Sequence, residues 1–527
     1  MGVSAELFLA LLVAIAALST IARLVDVPYP ILLVVGGLAI GVIPGIPEVE
    51  LDPDLVLVLF LPPLLYAAAF FASLSDLRAD LRPISLLAVG LVIATTVTVA
   101  LVAHALIDGL TWGAAFALGA IVSPTDPIAA TAIVRRQGAP RRIATIIEGE
   151  SLINDGTALV LYRAAVAAVV GGSFSIFGAG LDLVAGAAGG IAIGLLVGWP
   201  IAEIRKRIDD PPVEVTISLA TAYAAYLPAE ELGLSGVLAA VTVGVYLGWR
   251  APEVSSAEMR MQGRPVWAQL QFLLNATLFI LLGLQLPVVL DGITEYSTAE
   301  LLGYGAAISA TVILTRLAWG QSIVYVIRAL DRRPAQLERR TGWRMRLIAG
   351  WAGMRGAVTM AAALALPLQT DAGDPFPERD LIIFLAFCVI VVTLLLQGLT
   401  LPVLIRRLGV RGDDSETLEV LQARIHAATA GLERLEELAD AEWTRDDTID
   451  RMRGLFRYRQ NRFAAQRDGT EDAHYEDRSL AYQRLLRELL DAQRDALVRL
   501  RNQGEISNDV MTRIERELDL EDSRLEI

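Results

Sequence analysis

Thirteen long apolar segments dominate this chain of 527 residues, of which 54% are hydrophobic. Each segment has about 17–30 residues, enough for a helix to cross a hydrocarbon core of about 30 Å. The sequence therefore predicts an all-α polytopic membrane protein. The thirteen predicted spans are approximately 4–22, 28–44, 54–73, 83–107, 111–134, 141–170, 176–201, 212–228, 232–249, 266–290, 300–327, 345–368 and 380–405.

Charged residues alternate between the loops that join these spans. The loops after even-numbered spans contain one basic residue, Arg379, and acidic residues that include Glu48, Glu50 and Asp52. Because basic loops stay in the cytoplasm, the N-terminus is predicted outside the cell and the C-terminus in the cytoplasm, with the chain spanning the inner (plasma) membrane. The loops after odd-numbered spans contain Arg23, Arg78, Arg82, Arg135, Arg136, Arg141, Arg142, Arg205, Lys206, Arg207, Arg250, Arg260, Arg264, Arg328, Arg332, Arg333, Arg339, Arg340, Arg344 and Arg346.

The chain changes character after the last span, so residues 1–408 are predicted as the membrane domain and 409–527 as a cytoplasmic helical tail. Residues 411–527 hold 19 Arg and 28 acidic residues, a net charge of −9 out of −14. Neither a basic nucleic-acid face nor a glycine-rich nucleotide loop is present. The tail is predicted to serve regulation or dimer contact, or to be a solvated appendage, and its ligand is unknown.

The fifth span is interrupted by Ser123-Pro124-Thr125-Asp126-Pro127. Neither proline has an N–H to donate, and each disfavours helical geometry in the residue before it. The helix is therefore predicted to open here, about halfway through its length. Unpaired backbone carbonyls are tolerated at this depth only beside a cavity, where they and the Thr125 hydroxyl would offer hard oxygen ligands to an alkali cation.

The twelfth span contains a second interruption, Gly353-Met354-Arg355-Gly356. Spans five and twelve cross the membrane in opposite directions, which predicts an inverted repeat with two broken helices that meet at the midplane. The ends of the half-helices carry partial charges of about half a unit. Asp126 is predicted to neutralise their N-termini and Arg355 their C-termini.

The sixth span carries acidic and polar residues in the sequence GESLINDG, at positions 149–156. Asp155 lies about 21 Å along this helix from residue 141, near mid-membrane, where an acid is rare without a function. Ser151 shares its face, whereas Glu150 and Asn154 share a face rotated by about 100°. Glu148 falls on the Asp155 face two turns nearer the cytoplasm, where its carboxylate is expected to attract cations towards the site.

Glu150 needs a partner because a buried carboxylate is costly alone. Reasoning from the residues leaves Arg316 of the eleventh span and Arg355 as alternatives. The three histidines do not combine with Cys, Asp or Glu at ligand-like spacing, so we expect neither a transition metal nor any other cofactor.

The motifs GESLINDG, SPTDP and GMRG, with the arginine of TRLAW before the last, resemble the NhaP-like members of the monovalent cation/proton antiporter-1 family. The order and spacing match over residues 1–408. The resemblance implies a homodimer of thirteen-span chains. Each chain would have a dimerisation part and an ion-carrying core, formed by spans 4–6 and 11–13, that moves as an elevator.

The resemblance also implies roles for individual residues. Asp155 is similar to the aspartate that binds the cation or the proton, with Asn154 as its asparagine neighbour. Ser151 and Thr125 resemble further Na⁺ ligands. Glu150 is similar to the glutamate that pairs with the arginine at Arg316, and Arg355 to the arginine of the second broken helix.

The third span departs from the family pattern. Many members have an acid after Pro-Pro-Leu-Leu-aromatic, whereas this chain has Ala67 after Tyr66. An external gating carboxylate is therefore absent at that position, and a pH dependence assigned to it elsewhere does not transfer.

The predicted function is secondary transport rather than enzymatic catalysis. One carboxylate that holds either a proton or a Na⁺, Li⁺ or K⁺ ion would couple the two fluxes by competition, in an electroneutral cycle that serves pH homeostasis. A sodium-coupled solute symporter is the first alternative, but the small residues around the breaks offer few recognition groups. A gated cation channel is the second, and a single Asp in place of a ring of acids disfavours it.

Overall fold

The computed structural model describes residues 5–43, 53–171, 176–293, 295–330, 341–412, 415–469 and 473–523. These residues form helices and no strand, with one isolated bridge between Gln369 and Pro375. The prediction of an all-helical protein is confirmed for them. Seven charged residues used to predict the topology lie outside the described residues: Glu48, Glu50, Asp52, Arg332, Arg333, Arg339 and Arg340.

The chain divides into two compact units, Met1–Gly412 and Asp413–Ile527. In the first unit the helices up to the middle of the chain are α1 Ala5–Leu24, α2 Tyr29–Gly41, α3 Pro53–Phe70, α4 Leu74–Ala79, α5 Leu81–Ser85, α6 Val92–Leu106, α7 Trp112–Val122, α8 Pro127–Arg136, α9 Arg141–Val170 and α10 Ile176–Arg205. The remaining helices of this unit are α11 Pro211–Glu231, α12 Gly236–Val254, α13 Ala257–Gly292, α14 Thr298–Leu330, α15 Trp343–Trp351, α16 Ala357–Leu364, α17 Arg379–Val392 and α18 Gly398–Leu408.

Two π-helical turns interrupt the regular helices. Leu86–Leu91 joins α5 to α6, and Thr393–Gln397 joins α17 to α18. Such turns recur at functional positions of helices. Neither turn was predicted, because a mainly apolar span carries no sequence signal for one extra residue in a helical turn.

Seven helical segments among the described residues are long and apolar enough to cross a membrane. Three further apolar helices are shorter, Leu9–Leu24, Tyr29–Gly41 and Val58–Phe70. The twelfth predicted span is divided between α15 and α16, with nine and eight residues. The eighth and ninth predicted spans correspond to α11 and α12, whose charged residues, such as Glu214 and Arg250, lower their hydropathy.

Close helix packing in the first unit depends on small residues. A Cβ at Gly37 of α2 would meet the backbone of α13, and one at Gly283 would meet the backbone of α2. Gly119 of α7 lies equally close to the backbone of α6 at Thr96. Within a bilayer, where water no longer drives helices together, such close contact supplies much of the attraction between them.

The second unit contains α19 Ser415–Leu438, α20 Asp446–Asp468, α21 Ala473–Asn502 and α22 Asn508–Ser523. Arg453 donates to both carboxylate oxygens of Glu436, at 2.7 and 2.9 Å, which joins α19 to α20 and lowers the pKa of Glu436. Leu490, Leu497 and Leu518 form a small apolar cluster between α21 and α22. The unit is therefore built from two helix pairs.

Candidate functional site

A cavity of about 560 Å³ lies in the first unit. Its wall contains polar residues of α8, of α9 and of residues 124–126 between α7 and α8, together with apolar residues of α3. Asp155 and Asp126 line it, as do Arg135 and Glu148, which lie near the ends of their helices that the charge pattern places in the cytoplasm. The cavity thus extends from Arg135 and Glu148 to Asp155, the predicted ion-binding residue.

Residues 123–126 and 352–356, which we call the two non-helical stretches, meet through their backbones. The N–H of Asp126 donates to the carbonyl of Met354 at 2.8 Å. The Asp126 carboxylate accepts from the N–H of Ile128 at 2.9 Å and also from the backbone of Ala357. One carboxylate therefore serves the N-termini of both α8 and α16, where the helix dipole favours negative charge.

Arg355 serves the opposite helix ends. Its buried guanidinium donates to the carbonyl of Val122, the last residue of α7, at 3.1 Å, and to the carbonyl of Gly353, just after α15. The backbone N–H of Arg355 donates to the Thr393 hydroxyl at 3.1 Å, within a π-helical turn. The structure thus brings Asp126 and Arg355 to the helix ends for which the sequence analysis named them.

Glu150 faces away from the cavity and towards α14. Its carboxylate pairs with Arg316 through two hydrogen bonds, one of them 2.8 Å long. Arg316 also donates to the carbonyls of Gly350 and Ala349, at 3.1 and 3.2 Å. Of the two alternatives for the partner of Glu150, the structure places Arg316, and not Arg355, against its carboxylate.

Thr125 links this ion pair to Asn154. The Thr125 hydroxyl donates to Glu150 at 3.2 Å and accepts from the Asn154 amide at 2.9 Å. Glu150 and Asn154, which share one face of α9, therefore hold the first non-helical stretch against that helix. The hydroxyl of Thr125 keeps one lone pair for any further ligand.

Ser151 and Asp155 share the other face of α9, and both line the cavity. Asp155 is 4% exposed and Ser151 is 8% exposed. Among the described residues, the Asp155 carboxylate accepts no hydrogen bond and forms no ion pair. A buried carboxylate without a partner is the most unusual feature of the site, since burial of an isolated charge is strongly unfavourable.

The other buried acids show how unusual Asp155 is. Four acidic residues are buried within the part of the chain that the structure describes. Three of them form ion pairs with arginines: Asp80 with Arg142 at 2.6 Å, Glu150 with Arg316, and Glu214 with Arg205 at 3.2 Å. Only at Asp155 is the compensating charge missing, and that residue is the one that faces the cavity.

Glu148 lines the cavity and pairs with Arg135 at 2.6 Å. This pairing offsets its charge, so its attraction for cations is weaker than an isolated acid would provide. Ala67, which stands where the sequence analysis noted the absence of a gating acid, also lines the cavity. A carboxylate at that position would face the same space as Asp155.

Two polar features of the structure were not predicted from the sequence. Asn275 of α13 lines the cavity one helical turn after Gln271. Arg205, assigned above to a loop, is the buried last residue of α10 and pairs with Glu214 while donating to the Ser255 hydroxyl at 3.0 Å. The sequence signal for Asn275 was a polar residue within an apolar span, and that for Arg205 was a basic residue just after one.

Comparison with known proteins finds a matching family model and several relatives. The family model described as the transmembrane sodium/hydrogen exchanger matches residues 8–407. An uncharacterized Na⁺/H⁺ exchanger of Mycobacterium tuberculosis strain H37Rv is 38% identical over 502 residues, which cover 94% of this chain and 91% of the relative. A sodium, potassium, lithium and rubidium/H⁺ antiporter of Bacillus pumilus is 35% identical over 415 residues, covering 76% of this chain and 61% of that protein.

The fold is also similar to that of a solved structure. The sodium proton antiporter MjNhaP1 of Methanocaldococcus jannaschii superimposes with a TM-score of 0.61 at 22% identity, covering 76% of this chain and 97% of the other. At this identity the likeness concerns the fold alone. The family model and the relatives confirm the resemblance found in the motifs and indicate a polytopic membrane transporter rather than an enzyme. The chain belongs to the sodium/hydrogen exchanger family.

Proposed function

We propose that this protein exchanges Na⁺ for protons across the membrane, by competition of the two ions for Asp155. The observation that carries the proposal is the carboxylate of Asp155, which is buried, lines the cavity and has no partner among the described residues. The other buried acids of the described chain pair with arginines and do not line the cavity. A proton or a small cation neutralises it equally well. Since either ion removes the unfavourable charge and neither can bind while the other is present, the two fluxes are coupled.

The surroundings of Asp155 supply neutral oxygens suited to a desolvated Na⁺. The Ser151 hydroxyl lies one helical turn away on the same face, and Thr125 lines the same cavity. Because the Thr125 hydroxyl already bonds to Glu150 and Asn154, its contribution comes from the remaining lone pair or from its backbone oxygen. Asp155, Ser151 and Thr125 then form the Na⁺ site.

We extend the proposal to Li⁺ and K⁺ as further substrates. The Bacillus pumilus relative is named for the exchange of sodium, potassium, lithium and rubidium. A site built from one carboxylate and flexible hydroxyl or carbonyl oxygens does not impose a narrow ion radius, since selectivity depends on cavity size and ligand rigidity.

For the transport cycle we propose alternating access by an elevator-type movement. Thirteen spans arranged as inverted repeats, with α7–α8 and α15–α16 as two broken helices, would place the ion-carrying core on spans 4–6 and 11–13. Arg163 of α9 pairs with Glu230 of α11, one contact between the proposed core and the remaining helices that the movement must break. The cavity then represents the state open to the cytoplasm.

The remaining parts of the proposal concern assembly and location. The chain forms a homodimer in the lipid of the bacterial inner membrane, with its N-terminus outside and its helical tail in the cytoplasm. The loop charges support this orientation. The tail serves regulation or dimer contact.

We propose a one-for-one, electroneutral exchange. Asn154, next to Asp155, is an amide whose nitrogen donates to Thr125, so it adds no second titrating acid. The carboxylate of Asp126 accepts backbone hydrogen bonds at two helix N-termini, so we assign it a structural role rather than an ion-carrying one. One carboxylate carrying one proton or one Na⁺ moves the same charge in both directions.

The experiment that tests the function is ion exchange by purified protein in liposomes that contain a pH-sensitive dye. We expect Na⁺, Li⁺ or K⁺ to dissipate a preformed pH gradient, and Asp155→Asn to abolish the response while the protein keeps its thermal midpoint. As a control, Asp26→Asn removes an exposed acid that does not line the cavity. Exchange by Asp155→Asn at the unmodified rate would remove Asp155 from the proposed role.

A further inference from the structure

Asn275 is a polar side chain of the cavity that the proposed exchange does not yet use. It lies on α13, whereas Asp155 lies on α9, so the two residues belong to different walls of the cavity. Gln271, one helical turn before Asn275, lines the same wall. The two amides, one turn apart, form a polar stripe along the cavity.

The amide of Asn275 is incompletely bonded. The residue is 6% exposed, and its Oδ1 atom is buried and accepts no hydrogen bond from any described residue. Buried amide oxygens are nearly always bonded, so an unsatisfied one requires an explanation. Leucine at this position would have a similar size and would remove the unsatisfied group altogether.

The missing partner can come from the cavity. The terminal torsion of asparagine is soft, and a rotation of 180° exchanges the oxygen and the nitrogen with little change in shape. Such a rotation would move the oxygen out of its buried position to the place of the nitrogen, which is not among the buried atoms without a partner. A monovalent cation that has shed water needs oxygen atoms without further negative charge, and an amide carbonyl provides one.

We infer that the carbonyl oxygen of Asn275 is a cation ligand, placed on the wall that faces the ion as it approaches Asp155. The inference rests on the proposed exchange at Asp155 and assigns it a further residue. A cation is stabilised by several oxygens at once, whereas a proton binds to one carboxylate oxygen. Asn275 therefore acts on the affinity for the cation and leaves the binding of the proton to Asp155 unchanged.

The test compares Asn275→Leu with Gln397→Leu. Gln397 is also a fully buried amide whose oxygen and nitrogen have no partner among the described residues, but it does not line the cavity. Asn275→Leu is expected to raise the apparent Na⁺ constant about tenfold, equivalent to about 1.4 kcal/mol. The rate at saturating Na⁺ should keep its dependence on pH, and Gln397→Leu should keep the Na⁺ constant of the unmodified protein.

A second measurement reads Na⁺ binding without transport. Ligands that bind the folded state raise the thermal midpoint with concentration, so a titration with NaCl against choline chloride gives the apparent affinity. Asn275→Leu should shift this titration to about tenfold higher Na⁺. Asn275→Ala, which also removes the oxygen, provides a second variant should the leucine fail to fold.

The possible results separate the two proposals. If loss of the Asn275 amide leaves the apparent Na⁺ constant unchanged in both assays, the inference is overturned, while the proposed exchange at Asp155 is unaffected. An equal weakening by Gln397→Leu would overturn it too, since the effect would then not depend on the cavity. Failure of the proposed exchange has a different signature, namely no Na⁺-driven proton movement by the unmodified protein.

Discussion

Breaking the buried pair of Glu150 and Arg316 should destabilise the protein rather than alter its ion affinity. Both side chains are at most 2% exposed, so removal of one leaves the other charge in a medium of low polarity. The expected loss is about 3–5 kcal/mol for a fully buried pair broken from one side. Neither side chain of the pair lines the cavity, so we expect the effect on stability to exceed the effect on transport.

The contacts predict that the two single substitutions differ. After Glu150→Ala, Arg316 keeps the carbonyls of Gly350 and Ala349 as acceptors. After Arg316→Ala, Glu150 keeps only the Thr125 hydroxyl, and the two carbonyls lose a donor. Arg316→Ala should therefore be the more damaging change, towards the upper end of the range of about 3–5 kcal/mol.

The assay is thermal unfolding in detergent, followed by tryptophan fluorescence, for both single variants and the double variant. The double variant should be more stable than the sum of the single losses predicts, because no charge is then left alone. Arg136→Ala, which breaks the exposed pair with Asp26, is the control and should cost at most about 1 kcal/mol. Additive losses in the double variant would show that the two side chains do not stabilise each other.

Three further predictions test the site. Gly356→Ala should lower both activity and thermal midpoint, because its Cβ would overlap the Asp126 carboxylate, whereas Gly303→Ala, where a Cβ meets nothing within 4 Å, should be tolerated. Ser151→Ala should raise the apparent Na⁺ constant about threefold to tenfold by removing one neutral ligand, and an unchanged constant would place the ion elsewhere. Membrane potential, clamped with valinomycin and K⁺ during Na⁺/H⁺ exchange in liposomes, should neither speed nor slow the reaction; a strong response would require a second titrating group, with Glu148 the first to examine.

Local chemistry made much of the site predictable. Pro124 and Pro127 lack an N–H, and the structure has no helix between Val122 and Pro127. The helical period put Ser151 and Asp155 on one face, and both line the cavity. These features depend on residues close in sequence, so no knowledge of the packing was needed.

Features that depend on contacts between distant helices were not predictable in the same way. The residues alone left two arginines as partners for Glu150, and the packing of α14 against α15 holds Arg316 in place to pair with it. The sequence around Asn275 does not distinguish an asparagine that lines a cavity from one whose amide is fully hydrogen-bonded in the protein interior. What distinguishes it is the cavity, which no single segment encodes.

A single physical rule connects the stability of this protein to its proposed function. A buried acid needs a compensating charge, and at Asp80, Glu150 and Glu214 an arginine supplies it permanently. At Asp155 the compensating charge must come from the cavity, as a proton or as a cation. An arginine within reach of Asp155 would complete the set of ion pairs and stabilise the fold, but it would also occupy the site and end the exchange. The lack of a partner at that one position is therefore what the proposed transport requires.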